Sequence, residues 1–337
     1  MVENIVRRAL YGVRSDPKRT IRNLVDLGLE TSGGALHKRF MADAQNLLRR
    51  EDSPYYDMVV QTVRHVDEER LLTFGLNLGW DGLTVGARRI RELEAQRGHN
   101  IPWSLTLHMA TGGKLSTGDY LQLVQDGASL GIGTYFLMPA DTDAVDMALD
   151  LALLSRGCAF FLFLPPGYPV ETALKRLLLP RNLMLCLDCE TSGWQRQAEL
   201  LRDNHLLYGL WRPYATHDES IEITSGRWIK PVLPYAGLAV FLIGRGEAAQ
   251  DPTASVCLYA RDARLAQRYP ALVFDFYLDA LYLDVLISND PCFAGFLPDG
   301  RMTQFLCGEE RPAGGSILSE PLDRLLRCFA KARAAHR

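Results

Sequence analysis

Short apolar runs alternate with amphipathic helix patterns between residues 102 and 244, and this alternation constrains the possible fold more than any other feature of the sequence. The strand-like runs begin with WSLTLHM and TYFLMPA and continue through LLYGLWRPY to LAVFLIG at 238–244. Strands that alternate with helices over short links run parallel, and uninterrupted apolar runs are typical of strands buried on both faces. We therefore predict the α/β class, with a partial (β/α)6 TIM-like barrel of parallel strands; a doubly wound open sheet is the structural alternative.

The regions on either side of this alternation have a different pattern. Residues 1–98 carry apolar residues at three- and four-residue spacing without a strand pattern, which predicts an N-terminal helical segment. The predicted barrel spans residues 99–255. Residues 256–337 form a small C-terminal extension, in which we expect a hairpin around Asp299 and Gly300 and a final amphipathic helix.

Composition and charge argue against several classes of protein. The 337 residues carry a net charge of −3, so no basic field favours binding to nucleic acid. The apolar runs are shorter than the roughly 20 residues that cross a bilayer, and the N-terminus MVENIVRRALYGVR is too charged for a secretory signal. Seven scattered cysteines are typical of free thiols in a reducing compartment. We therefore expect a cytoplasmic protein with no nucleic-acid or membrane partner.

Three segments resemble proteins of the radical S-adenosylmethionine (radical SAM) superfamily, in particular its SPASM-like branch. They are the opening MVENIVRRALYG, the first strand with its lead-in NIPWSLTL, and the helix-to-strand step DGASLGIGTYFL. The resemblance covers nearly the whole chain and implies the same order of parts: a helical segment, a partial barrel and a cysteine-bearing extension. It also brings in S-adenosylmethionine (SAM) and a [4Fe–4S] cluster as the cofactors of the family's reaction.

The cluster loop of the family is where this sequence departs most. In the family, the loop after the first strand carries C-x3-C-x2-C, whose three thiolates hold the [4Fe–4S] cluster. This chain has HMATGGKLS there, without a cysteine. In the extension, Cys292 and Gly300 match the family's pattern, but the second cysteine position is Phe305, and Cys307 lies two residues further on. The resemblance therefore implies a degenerate member with no [4Fe–4S] cluster and a SPASM-like extension without an auxiliary cluster.

The positions that contact SAM in the family are kept only in part. The family's G-G-E-P turn, which holds the amino group of SAM, corresponds here to FLMPADTD, with Pro139 and Asp141. A Ser-x-Asp/Glu step that contacts the ribose corresponds to the run from Cys186 to Asp188, so that only the carboxylate of Asp188 remains. Reductive cleavage of SAM requires the cluster and the chelated amino-acid part together. We therefore expect no radical catalysis, while residual SAM binding is compatible with the sequence.

Ionisable side chains follow several of the predicted strands at their carboxyl ends, where barrels of this kind have their ligand sites. His108 ends the first strand, and Asp188 and Arg212 lie at the ends of later ones. Such a ring suits acid–base chemistry or the binding of a charged ligand, although strand ends are also loop starts and are polar for that reason alone. The candidate ligand-binding residues are His108, Asp141, Asp188, Glu190, Arg212 and Arg245.

Two further motifs are weaker. Cys186 and Cys189 form the only C-x2-C, but a zinc site needs two more ligands, and no second pair follows. We expect no metal site; a gathering of these two thiols with Cys292 and Cys307 is the alternative. The glycine pair of ATGGKLS precedes a helix N-terminus and would suit an anion, but it lacks the P-loop spacing, so we interpret it as a short turn.

These observations lead to two main hypotheses of function. The first is a non-catalytic, radical-SAM-like protein that binds a small ligand, a peptide substrate or a catalytically competent radical SAM enzyme. The alternative is a non-radical enzyme that uses His108, Asp188 and Arg212 at the barrel mouth on a small molecule, with SAM binding retained. The missing thiolates favour the first hypothesis, whereas the charged groups at the strand ends favour the second.

Overall fold

The computed structural model of the chain describes residues 2–30, 45–46, 48–246, 248 and 255–330. Its first part is helical and ends in a continuous helix, in which a π-helical section joins two α-helical sections. The elements are α1 (Val2–Val13), α2 (Pro17–Glu30), α3 (Pro54–His65), α4 (Glu68–Gly75), the π-helix (Leu76–Gly86) and α5 (Ala87–Arg97). The predicted N-terminal helical segment is therefore confirmed for the described residues.

Ten strands follow in one mixed sheet, with helices between the parallel strands. The strands are β1 (Ser104–Met109), β2 (Thr134–Pro139), β3 (Ala159–Phe163), β4 (Leu183–Asp188), β5 (Tyr208–Tyr214), β6 (Ala239–Gly244), β7 (Leu272–Asp275), β8 (Ala294–Phe296), β9 (Arg301–Leu306) and β10 (Glu309–Ser316). The helices among them are α6 (Thr117–Leu130), α7 (Thr142–Leu154), α8 (Val170–Leu177), α9 (Trp194–Asp203), α10 (His217–Thr224), α11 (Val256–Leu265) and α12 (Phe276–Ser288). Two 3-10 turns (Leu233–Tyr235 and Leu326–Phe329) and α13 (Leu322–Leu325) complete the described elements.

The strand order is β10-β9-β8-β1-β2-β3-β4-β5-β6-β7. Strands β1 to β7 pair in parallel with their sequence neighbours, and β8 pairs in parallel with β1. Strands β9 and β10 continue the sheet in antiparallel pairing. The sheet is not closed in the described part of the chain, because β7 and β10 are its edges. The α/β class and the partial barrel of parallel strands are confirmed, and β7 and β8 extend the barrel beyond the six predicted strands.

The range assigned to the C-terminal extension supplies four strands of this sheet, β7 to β10. The hairpin around Asp299 and Gly300 is confirmed: it joins β8 to β9, and the Gly300 N–H donates to the carbonyl oxygen of Leu297 at 2.9 Å. Gly300 has a φ of +87°, which favours glycine. The predicted final helix is shorter in the structure, where α13 and a 3-10 turn span residues 322–329. Residues 331–337 lie outside the described residues.

Aromatic side chains fill the concave face of the open barrel. The rings of Phe136, Phe161 and Phe163 project from β2 and β3 and pack at centroid distances of 5.1 to 6.4 Å. Phe276, the first residue of α12, packs edge-on against Phe136 at 4.9 Å and against Phe163 at 5.4 Å. Alternate residues of a strand point to opposite faces, so these rings share the face that His108 occupies on β1. His108 therefore lies at the edge of an apolar layer of packed aromatic rings.

The π-helix packs against the turn between α6 and β2. Gly86 and Gly131 approach so closely that a Cβ on Gly86 would lie 2.4 Å from the Gly131 carbonyl oxygen. Asn77 is buried in the same section and donates to the carbonyl oxygens of Arg156 and Cys158 at 2.7 and 2.9 Å. These contacts attach the N-terminal helices to the start of β2 and β3. The glycine-rich π-helical section joins α4 and α5 into this continuous helix.

Candidate functional site

A cavity of about 630 Å³ opens at the carboxyl ends of the parallel strands. Aromatic and aliphatic side chains form most of its wall, and a few polar groups converge on it, as in ligand pockets generally. The lining includes His108, Met138, Phe163, Trp211, Ile243, Arg245, Tyr277, Glu309 and Glu310. The site therefore combines two of the six predicted residues, His108 and Arg245, with groups that come from the C-terminal strands.

The central contact of the cavity joins His108 on β1 to Glu310 on β10. The Nε2 atom of His108 lies 2.9 Å from both carboxylate oxygens of Glu310. The His108 side chain is 25% exposed, and the Glu310 side chain is only 9% exposed. The backbone of His108 is also fixed by a hydrogen bond, because the hydroxyl of Tyr120 on α6 donates to the His108 carbonyl oxygen at 2.7 Å. The imidazole and the carboxylate therefore form a fixed, partly buried pair at the floor of the mouth.

Two further donors converge on the same carboxylate. The Tyr277 hydroxyl, on α12, donates to Glu310 Oε2 at 3.2 Å, and the Thr303 hydroxyl, on β9, donates to Glu310 Oε1. Burial, reinforced by the neighbouring Glu310 carboxylate, raises the pKa of Tyr277 far above its usual range, so Tyr277 keeps its proton and donates it. The Tyr277 ring stacks on Phe305 with a centroid distance of 4.3 Å. Glu310 is therefore held by three side-chain donors from three elements.

Gly295 on β8 has no side chain, and this leaves room for the Glu310 carboxylate. A Cβ on Gly295 would lie 2.1 Å from Glu310 Oε1 and 2.5 Å from the Thr303 hydroxyl oxygen. Any other residue at this position would push the carboxylate out of its recess. The glycine thus has a steric role at the site.

The opposite wall of the cavity carries a cation. Arg245 follows β6, and its backbone N–H donates to the carbonyl oxygen of Tyr214 at 2.9 Å. The Trp211 ring lines the cavity on the neighbouring strand, and its indole N–H donates to the Leu164 carbonyl oxygen at 3.1 Å. Glu309 lies on the rim, where the Arg311 Nε donates to its carboxylate at 3.3 Å. The mouth therefore presents one guanidinium group, one half-exposed carboxylate and fixed aromatic surfaces.

Asp141 has a structural role at the rim. It caps α7, because the Ala144 N–H donates to its carboxylate at 2.8 Å. It also accepts hydrogen bonds from the backbone N–H and the hydroxyl of Thr111, in the loop after β1. The hydrogen bonds from Thr111 hold the pKa of Asp141 below its usual range. Its acceptor capacity is thus used within the protein, and it is not among the residues that line the cavity.

Two of the other predicted residues, Glu190 and Arg212, form an ion pair outside the cavity. Arg212 lies next to Trp211 on β5 and points to the opposite face, where its Nη2 donates to Glu222 on α10 at 2.6 Å. Its Nε lies 3.1 Å from Glu190 Oε1, and its guanidinium group lies 5.6 Å from the centre of the Trp228 ring. Burial raises the pKa of Glu190. This cluster ties the loop after β4 to α10.

Asp188, the last residue of β4, stabilises the loop that follows this strand. Its carboxylate accepts from the Glu190 N–H at 3.0 Å and from the Thr191 hydroxyl. The residue is 5% exposed and does not line the cavity. The structure therefore pairs Glu190 with Arg212 and places Asp188 in the loop contacts before them, and none of the three lines the cavity with His108 and Arg245.

The glycine pair in the loop after β1 forms a closed turn. The backbone N–H groups of Lys114 and Leu115 both donate to the Pro298 carbonyl oxygen, at 2.7 and 3.1 Å. A Cβ on Gly113 would lie 2.8 Å from this oxygen. The donors that would receive an anion are thus occupied by the β8–β9 turn, which agrees with the interpretation of a short turn.

The cysteines are mostly buried. Cys186 lies near the end of β4 and Cys189 just beyond it. Burial raises the pKa of Cys189 to about 12 and holds the pKa of Cys186 well above its usual range. Cys292 is also buried, whereas Cys307 lies exposed at the turn between β9 and β10. Among the described residues, no group of three or more His, Cys, Asp or Glu side chains is placed to hold a metal ion. Burial keeps the thiols of Cys186, Cys189 and Cys292 protonated at neutral pH.

Glu310 and Tyr277 are the functional candidates that sequence reasoning missed. They lie 202 and 169 positions after His108, and neither stands at the end of a predicted strand. The register that pairs Glu310 with Phe305 places both on the concave face of the sheet. Only this register, which the local sequence does not specify, reveals that Glu310 belongs to the mouth.

No protein-family model matches this chain, and no curated protein matches it. Three crystal structures of SuiB from Streptococcus suis are similar to it. The structure bound to S-adenosylmethionine is 8% identical, with a TM-score of 0.48 over 82% of this chain and 70% of that chain. The structure bound to the precursor peptide SuiA is 7% identical, with a TM-score of 0.47 over 82% and 70%. A third SuiB structure is 7% identical, with a TM-score of 0.47 over 89% and 77%.

None of the described helices is both long enough and apolar enough to cross a membrane.

Proposed function

We propose that this chain is a degenerate, radical-SAM-like protein that binds a ligand at the barrel mouth without radical chemistry. The ligand is a small molecule or a segment of a peptide, and the protein acts as a binding or specificity subunit. The observation that carries the proposal is the convergence of His108, Tyr277 and Glu310 on one aromatic-walled cavity at the carboxyl ends of the strands. Pockets of about this volume with few convergent polar groups are typical ligand sites.

The loop after β1 supports the absence of a [4Fe–4S] cluster. Three thiolates are the minimum that this cluster needs from the protein, and the loop Met109–Leu115 has none. The same loop is closed onto Pro298 by two backbone hydrogen bonds. The residues present therefore do not fit the cluster, and we propose no reaction step that uses it. We also propose that the SPASM-like part, residues 256–337, carries no auxiliary cluster.

SAM is one candidate ligand of this mouth. The aromatic faces of Trp211 and Phe163 would accommodate a nucleoside base, and Arg245 would attract the carboxylate of the amino-acid part. A peptide is the other candidate, and a catalytically competent radical SAM enzyme is the partner that such a specificity subunit would serve. We further propose a cytoplasmic location and the division into residues 1–98, 99–255 and 256–337.

A specific observation favours a second candidate function. A carboxylate that holds one nitrogen of an imidazole, as Glu310 holds Nε2 of His108, leaves the other nitrogen free to act as a general base. This arrangement suits a non-radical enzyme acting on a small molecule. Asp188 and Arg212, which the sequence adds to that hypothesis, face other partners. The alternative enzyme would therefore rely on His108 and Glu310.

The test of the proposed function combines metal analysis with ligand titration. Protein purified without oxygen is analysed for iron and sulfide, and is then titrated with SAM and with a set of peptides by calorimetry. We expect no stoichiometric iron, and saturable binding that His108→Ala weakens about tenfold, which corresponds to about 1.4 kcal/mol. His65→Ala, at the opposite end of the barrel, is the matched control and should bind like the wild type.

Two outcomes would contradict the proposal. Stoichiometric iron and sulfide would mean that dispersed cysteines hold a cluster. Equal affinities of the wild type and of His108→Ala for every bound ligand would mean that the mouth is not the site. Turnover of a small molecule that His108→Ala abolishes would favour the second function instead.

A further inference from the structure

We propose that the Glu310 side chain occupies the position of a ligand carboxylate, so that the mouth of the barrel is a carboxylate-binding site closed by the protein's own acid. This inference rests on the proposed function, because it names the chemical class that the mouth recognises. The ligand group is a carboxylate on a partly apolar body. An acidic side chain, the C-terminus of a peptide and the carboxylate of an amino acid share this chemistry.

The donors that hold Glu310 form a carboxylate receptor. His108 Nε2 lies 2.9 Å from both oxygens, the Tyr277 hydroxyl donates to Oε2 at 3.2 Å, and the Thr303 hydroxyl donates to Oε1. Each donor is also held by contacts other than Glu310: His108 by the parallel pairing of β1, Thr303 by the pairing of β9 with β8, and Tyr277 by its stacking on Phe305. The receptor therefore stays in place when the carboxylate leaves.

The recess that contains the Glu310 carboxylate exists because residue 295 is a glycine. Gly295 leaves a space into which the Glu310 oxygens fit, since a Cβ there would lie 2.1 Å from Oε1. A second carboxylate would find the same recess and the same three donors. Among the described residues, no lysine or arginine forms an ion pair with Glu310. An exchange for another carboxylate thus breaks no strong ion pair with such a group.

Glu310 is carried by the part of the sheet that is most easily moved. β10 is an edge strand whose only strand partner in the described ranges is β9. Its register shifts between Pro312 and Ser316, and the turn before it contains Cys307 and Gly308, both with positive φ. Edge strands with an irregular ladder open at lower cost than central strands. Withdrawal of Glu310 therefore requires a local change only.

The remaining wall of the cavity favours an anionic ligand with an apolar body. Arg245 lines the same cavity as the His108–Glu310 pair and attracts an entering carboxylate. The rings of Phe163 and Trp211 offer surface for an aromatic or aliphatic portion. Glu309, the other acid of the rim, is paired with Arg311 at 3.3 Å, which reduces its repulsion of a ligand.

The test replaces the internal carboxylate with an external one. Glu310→Ala removes the acetate-sized end of the side chain, and the full-length variant is titrated with acetate and with phenylacetate, followed by calorimetry and thermal unfolding. We expect saturable binding about tenfold tighter than to the wild type, with phenylacetate tighter than acetate. Acetamide, which has the same shape without the charge, should bind neither protein.

Matched variants separate this site from general effects. Asp57→Ala removes an exposed acid at the opposite end of the barrel and should leave phenylacetate binding as weak as in the wild type. The double variant Glu310→Ala/His108→Ala should lose the binding that Glu310→Ala gains. If Glu310→Ala does not fold, Glu310→Gln serves instead: loss of the charge should tighten phenylacetate binding about tenfold.

The outcomes decide the inference separately from the proposed function. A folded Glu310→Ala or Glu310→Gln protein that binds phenylacetate no better than the wild type overturns the inference. If SAM or a peptide still binds the wild type in that case, the proposed function stands without it. If the variant gains carboxylate binding but no SAM or peptide binds, the inference stands and the proposed function fails.

Discussion

Two carboxyl groups lie at opposite ends of the barrel and are held in opposite ways. Glu310, at the carboxyl end, is bound by three side chains. Asp284, on α12 at the amino end, is bound by backbone, since it accepts from the Trp103 N–H at 3.1 Å and from the Cys292 N–H at 3.4 Å. Burial raises the pKa of Asp284 to about 7, whereas its backbone hydrogen bonds act in the opposite direction.

The kind of hydrogen-bond donor distinguishes a structural carboxyl group, Asp284, from a carboxyl group of the candidate site, Glu310. Trp103 leads into β1 and Cys292 precedes β8, so Asp284 fixes how two neighbouring strands begin. Backbone donors cannot be rearranged without moving the strands. The side-chain donors around Glu310 can exchange one acceptor for another while the strands stay in place. Ligand chemistry is therefore expected at the carboxyl end and cooperative stability at the amino end, as in other barrels.

The largest effect is expected from Asp284→Ala. This change leaves two buried N–H groups without acceptors and should lower the free energy of unfolding by about 3 kcal/mol. Glu310→Gln, the matched change at the other end, keeps an acceptor and should cost about 1 kcal/mol or less. Urea denaturation of both variants measures the difference. Equal losses would remove the distinction between scaffold and site.

The larger part of the pH dependence of stability should come from the amino end. A carboxyl group whose pKa is raised in the folded state binds more protons there than in the unfolded chain, so stability falls as the pH rises from about 4 to about 7. The slope from Asp284 is about 1.4 kcal/mol per pH unit at most. Asp284→Asn should flatten the profile, which thermal unfolding between pH 5 and pH 8 would measure.

A part of the slope should remain in that variant. Burial also raises the pKa of Asp275, at the end of β7, to about 6. An unchanged profile in Asp284→Asn would show that the amino-end carboxyl is not the source of the pH dependence.

A smaller effect is expected from Gly295→Ala. The new Cβ meets the Glu310 carboxylate and the Thr303 hydroxyl, both of which are side-chain atoms that can move. We expect a loss of about 1 kcal/mol in stability, together with displacement of Glu310 from His108. Gly112→Ala is the control, because no atom lies within 4 Å of a Cβ there. A crystal structure of Gly295→Ala with Glu310 still in place would contradict this account.

The smallest effect on stability is expected from His108→Ala. The imidazole is partly exposed, and Glu310 keeps the donors Tyr277 and Thr303. We expect a loss of about 0.5 kcal/mol in unfolding free energy. A loss above about 2 kcal/mol would place His108 among the structural residues, on the same footing as Asp284.

The fold was largely predictable because the strand signal is local. Apolar runs such as AFFLF and LMLCLD specify buried strands wherever they occur, and the helices between them require parallel pairing. β7 and β8 could not be assigned to the barrel, because four and three residues carry too little pattern. Their place depends on the pairing of β7 with β6 and of β8 with β1, which are contacts between distant parts of the chain.

A site residue could be predicted from the sequence only where its position at the end of a strand is enough to place it in the cavity. His108 lies on the concave face of β1, and Arg245 follows β6 into the mouth. In the sequence pattern, Arg212 is as good a candidate as His108, but it directly follows Trp211 on β5. Adjacent residues of a strand point to opposite faces, so Arg212 points toward the helices and not into the cavity. Asp141 is a helix cap, a role that its position before α7 also fits. Glu310 depends on hairpin register, which no local pattern specifies.

The loop after β1 and the β8–β9 turn can move only together. The backbone N–H groups of Lys114 and Leu115 are both committed to the Pro298 carbonyl oxygen. Any side chain placed by substitution in Met109–Leu115 would therefore enter a closed turn. Opening this turn to a larger loop would need an insertion here and a second change that withdraws the β8–β9 turn.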